Sequence, residues 1–198
     1  MKQLRLLALA ALAFTFVVPP LTQAADLSIT AANVVPGARA KFVGGNTIAG
    51  ATITAGQLLY LDSTAGTFKL ADANASATTA NVVGYAANSA SAGQSVGVVM
   101  EDDDFTPGGT LSMTTGVYVL SATAGGIAPS ADLATGHYPA VVLIAKSTTK
   151  AIFKIVRGSA ALSLLSLPHD SRIPSLAIVI RQSGFVIPRR ENDLALAA

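Results

Sequence analysis

The chain has 198 residues, with 13 Lys and Arg against 11 Asp and Glu, 51% hydrophobic residues and no cysteine. This length allows one domain or two small ones, and the lack of cysteine excludes disulfides, thiol chemistry and cysteine-ligated metal sites. Residues 1–24 carry +2, residues 25–157 carry 7 basic and 8 acidic side chains (−1), and residues 158–198 carry +1. The central segment therefore has no basic stripe of the kind that phosphate neutralisation requires, and nucleic-acid binding is not expected.

Met1 to Ala24 reads as a secretory signal: Lys2 and Arg5 form a basic start, Leu6 to Val18 an apolar run, and Thr22-Gln23-Ala24 a small-residue site before Ala25. The run is short for a membrane span. The alternative is a start near Ala25, with upstream sequence read in frame.

From about Ala25 to Arg157 the chain reads as a series of short strands, each a β-branched or aromatic run bounded by Gly, Asn, Asp and Ser. Ala51 to Thr54 is followed by Gln57 to Asp62, apolar on both faces and therefore expected to be central. Ser63-Thr64-Ala65-Gly66 turns the chain into Thr67 to Leu70, a hairpin partner, and Asp72 to Ser76 closes it with residues that bond their own backbone. Asn81 to Ala86, a turn at Ser91-Ala92-Gly93, and Gln94 to Met100 lead to an acidic corner at Glu101-Asp102-Asp103-Asp104 and then Pro107-Gly108-Gly109. Thr110 to Met113, Gly116 to Ser121, Ile127 to Pro129 after Gly125-Gly126, Tyr138 to Lys146 and Lys150 to Val156 complete the set. The class is all-β: a small sandwich or barrel of short antiparallel strands with an extended N-terminal arm. No stretch carries a helical stripe long enough for an α/β fold.

After Arg157, Pro168, Pro174 and Pro188 interrupt short apolar stretches, so residues 158–198 read as an atypical extension, poorly ordered or strand-forming.

Candidate chemistry is sparse. Gly93-Gln94-Ser95-Val96-Gly97 matches the nucleophile-elbow pattern, with Asp132 and His137 following in hydrolase order. The elbow needs a sharp turn from strand into helix, whereas Val98-Val99-Met100 continues a strand, so no catalytic role is assigned. Glu101 to Asp104 offers oxygen ligands for a hard cation, but without EF-hand spacing it reads as a solvated loop whose charges discourage edge pairing. His137 and His169 are too far apart in sequence to suggest a shared metal site. Asn74-Ala75-Ser76 fits a glycosylation sequon and reads as a turn. No catalytic residue, cofactor or metal is expected.

With catalysis set aside, the order of segments carries the information. Ala25 to Thr30, Ala49 to Gln57, Lys69 to Asp72, Val83 to Ala86 with Ser91 to Gln94, Val117 to Ser121 with Gly125 to Pro129 and Asp132-Leu133, and Leu143 to Ser147 resemble successive landmarks of the bacteriophage capsid decoration, or cement, proteins. No single motif is specific; their order is. The resemblance implies a non-enzymatic structural module, trimeric in the family's manner, that binds the major capsid protein lattice from outside and reinforces the shell, with no membrane partner. Such a protein assembles in the host cytoplasm and resides in the virion. Residues 1–24 and the final forty or so fall outside the pattern, which suggests a misassigned start or a prophage gene with altered ends. A weakly charged Ala/Thr/Gly surface suits packing on a lattice, and the arm from Ala25 to Gly50 is suited to adding a strand to a neighbour's sheet edge. The alternative is an exported all-β adhesion or binding module of the periplasm or cell surface, which would retain the leader as a signal.

Overall fold

The computed structural model describes residues 25–163; the signal-like leader, His169 and the extension beyond residue 163 lie outside the described residues. Strands β1 (Val34–Val35), β2 (Lys41–Phe42), β3 (Leu58–Asp62), β4 (Thr67–Leu70), β5 (Val82–Ala86), β6 (Val98–Pro107), β7 (Val117–Leu120), β8 (Ile127–Pro129), β9 (Ala140–Ala145) and β10 (Ala151–Arg157) form one sheet. Its order is β4-β3-β5-β6-β10-β9-β7-β8, with β1 and β2 also pairing to β6, and every pair is antiparallel. The domain is all-β, and the sheet curls into a half-barrel.

Backbone bonds close the gap between the two ends of the curl. Leu58 N–H donates to Gly125 O (3.0 Å), Gly125 N–H to Ala71 O (2.7 Å) and Ala73 N–H to Ser121 O (3.0 Å). These bonds satisfy polar groups that a half-open sheet would leave at its ends.

The β3–β4 hairpin forms with the expected turn: Asp62 pairs with Thr67, and its carboxylate accepts the Thr64 and Ala65 N–H groups. β3 is next to the end strand and not central. Its two apolar faces have a different cause: Leu58 enters the main core inside the curl, while Leu59 enters a second cluster with Ile53, Phe68, Val96 and Val98 on the other face. The loops around residues 46–53 and 88–96 thus cover the outside of β3 and β5. That cover replaces the expected Ala51 to Thr54 strand with a single bridge from Ile53 to Ala90, and the expected Gln94 to Met100 strand is shortened, Ser95 making a bridge to Ile48 before β6 starts at Val98. Thr110 to Met113 is not a strand either; Leu111 is buried and its N–H bonds to Thr148 O at 2.8 Å.

The arm spends its pairing groups on its own domain. Leu27 N–H donates to Ile127 O, Thr30 N–H to Gly108 O and Val43 N–H to Val98 O, while β1 and β2 extend along β6. Leu27, Ile29 and Val34 pack on the main core. An apolar residue at alternate arm positions therefore signals a strap over the core, and these bonds are not free for a neighbour's sheet.

Candidate interaction surface

β6 is the pivot of the domain, and the acidic run lies within it. Glu101 to Asp104 is no corner: β6 passes through all four residues. Two breaks in register explain how a strand accommodates them. Between Val99 and Glu101 β6 has one more residue than β2, and between Asp102 and Phe105 one more than β10. Each extra residue interrupts the alternation, as a β-bulge does. Across these breaks Val99, Asp102 and Phe105, three apart, are buried, with Met100, Asp103 and Asp104 turned outward.

On the inside, Asp102 is 1% exposed and meets three donors. The Tyr85 hydroxyl donates to its Oδ2 at 2.9 Å, the Gly37 N–H to the same oxygen at 2.8 Å, and the Asp104 N–H to Oδ1 at 3.0 Å. A buried carboxylate is tolerable only when its lone pairs are met in this way. Burial and then the Asp102 carboxylate push the Tyr85 phenol far above its ordinary range, so Tyr85 stays a donor. Its ring stacks on Phe105 at 4.0 Å and meets Phe153 edge-on at 4.8 Å. Gly37 is required here, since a Cβ on it would lie 2.5 Å from Asp102 Oδ1. This cluster ties arm, β5, β6 and β10 together.

On the outside, charges and aliphatic side chains alternate in register. Lys41, Glu101 and Lys154 are opposite one another on β2, β6 and β10, with Lys41 Nζ 2.7 Å from Glu101 Oε2. Lys146 and Lys150 both reach Asp104, at 3.4 and 3.0 Å. The Lys41 ammonium holds the Glu101 carboxyl below its usual range, and Lys150 then Lys146 do the same for Asp104. Val117, Ile144 and Ile152 are cross-strand neighbours on β7, β9 and β10, and Val141 pairs with Val156 in an adjacent row. Residues directly opposite share a face, so these make aliphatic rows; Ile144 is 46% and Val156 60% exposed. Met100 on β6 is also exposed, at 41%.

The residues singled out for chemistry are placed elsewhere. Ser95 is exposed, bridged to Ile48, and runs on into β6 without the helix that an elbow requires. Asp132 and His137 are buried near the start of β9, where His137 Nδ1 accepts the Ala134 N–H at 3.3 Å. Asn74 is exposed in a turn whose Asp72 carboxylate accepts its N–H. Among the described residues no group of three or more His, Asp or Glu side chains is placed to hold a metal ion.

Compared with known protein families, characterised proteins and solved structures, the chain matches none.

Proposed function

We propose that the domain is a structural module that docks by the outward face of β6, β10, β9 and β7 on the outer surface of an assembled phage capsid and stabilises it, acting as a trimer. The observation that carries this reading is the aliphatic rows of that face, exposed Ile144 beside half-buried Ile152 and exposed Val156 beside half-buried Val141, set on a sheet whose opposite side is locked by the Asp102 cluster. A rigid, preformed face loses little conformational freedom on docking. Repetition over a symmetric shell makes a modest interface per copy sufficient. The ordered series of landmarks from Ala25 to Ser147 supports the same reading. The alternative is an exported all-β binding module, favoured by the signal-like Lys2 to Ala24 segment.

Mass spectrometry of particles purified after induction of the source strain distinguishes the two. Decoration predicts peptides of this chain in heads, with an N-terminus near Ala25. Recovery only from periplasm or medium, cut after Ala24, overturns it in favour of the exported module.

A further inference from the structure

Arg157, the last residue of β10, pairs with the buried Ala140 on β9, so it lies on the core side of the sheet and not on the outward face. It is nevertheless exposed, because a groove of about 460 Å³ opens there between residues 77–81 and the paired ends of β9 and β10. Thr78, Asn81, Tyr138, Arg157 and Ser159 line it, beside the apolar Ala80 and Pro139. The five polar residues carry a guanidinium, a phenol, a carboxamide and a pair of hydroxyls. Their side chains have no hydrogen-bond or ion-pair partner among the described residues, and no acidic residue lines the groove.

Both walls are held in place. On one side the Ser76 N–H donates to Thr79 Oγ1 at 3.0 Å, the Thr79 N–H to Ser76 Oγ at 3.1 Å and the Asn81 N–H to Thr78 O at 3.2 Å. On the other the Gly158 N–H donates to Pro139 O at 2.7 Å, and a Cβ on Gly158 would lie 2.7 Å from Pro139 Cγ. Walls fixed in this way need little reordering to receive a ligand.

Unused donors around one cation, with no acid to compete, suit an anion. Charge selects which kind: Arg157 matches the single charge of a carboxylate, whereas a phosphate ester carries about −1.5 to −2 at neutral pH. The planar guanidinium fork also fits the two oxygens of a carboxylate, and Ala80 and Pro139 suit a short apolar stem. We infer that this groove binds a single carboxylate on a short apolar stem, carried by a free small acid or by an acidic side chain of another protein, with Arg157 as its anchor. The site is separate from the outward face and does not depend on the docking reading.

The test is an NMR titration of the isotope-labelled full chain, at constant ionic strength, with propionate, with inorganic phosphate, and with a capped tripeptide whose only carboxylate is a glutamate side chain. The amide signals of Asn81, Tyr138 and Gly158 are expected to shift saturably with a Kd of about 1 mM, since one exposed carboxylate–guanidinium pair is weak. Arg157→Gln should weaken binding by about tenfold or more, and Arg157→Lys by less, because a point charge replaces the fork. Arg39→Gln, exposed on the arm, should leave it unchanged. Tighter binding of the tripeptide assigns a protein side chain as the source, tighter binding of propionate a free acid, and both uphold the site. Phosphate binding tighter than either carboxylate, shifts that persist in Arg157→Gln, or no saturable shift at all overturns it.

Discussion

Asp102 and Asp104 stand two residues apart on one strand and occupy opposite environments. Asp102 is buried and accepts three hydrogen bonds, including one from Tyr85, whereas the Asp104 side chain is 56% exposed and meets two lysines. Strict alternation would put both on the same side of the sheet. The bulge between Asp102 and Phe105 separates them, so a single extra residue converts a run of like charges into one internal clasp and an external rim. The inner acid is structural and its removal leaves buried donors unmet; the outer acid is solvated and its ion pairs contribute little at neutral pH.

Breaking the inner side should have the largest effects. Phe153→Ala removes the ring that meets both Tyr85 and Phe105, and is expected to cost about 3–5 kcal/mol, measured by urea unfolding. Asp102→Ala should follow at about 3 kcal/mol, because the Tyr85 hydroxyl and Gly37 N–H lose their acceptor in a buried site. A loss of less than about 1 kcal/mol would show that the clasp is not buried as described. Gly84→Ala presses a methyl on the Val99 carbonyl across the β5–β6 pair, and is expected to cost about 1–3 kcal/mol by the same measurement.

The outer side should respond to pH and salt. Glu101 and Asp104 have carboxyls held below their ordinary values of 4.5 and 3.8 by lysine partners. A lowered folded-state value means that stabilisation is complete above the unfolded value and disappears as pH falls through the folded one. The melting temperature should therefore decline gently below about pH 4.5, and Asp104→Asn should flatten part of that decline with little change at pH 7. Added salt should shrink the difference between Asp104→Asn and the natural chain, and should leave the effect of Asp102→Ala almost unchanged.

Much of the fold was legible in the sequence because the strands are punctuated locally. Asp62 to Gly66 between two apolar runs specifies the β3–β4 turn through the Asp62 carboxylate, and the Gly125-Gly126 turn joins β7 to β8. What stayed hidden depends on distant parts of the chain. Nothing local marks Asp102 as the buried member of four consecutive acids, since its partners Gly37 and Tyr85 are 65 and 17 residues away. Nor does Leu58-Leu59 announce that its second face is covered by a loop and not by a neighbouring sheet. The candidate surface was not legible at all: its rows join Val117, Ile144 and Ile152 from three strands, and bulges shift the alternation of β9 and β10.

The proposed docking face can be tested directly, because the chain has no cysteine to compete with a reporter thiol. Maleimide labelling of Ile144→Cys and Ala75→Cys, free in solution and bound to heads, is the measurement. The prediction is that both thiols react in the free protein and that only the one at position 144 is protected on the particle. Equal labelling at 144 in bound and free protein, with position 75 protected instead, would contradict the assignment of the outward β9–β10 face as the surface that meets the shell.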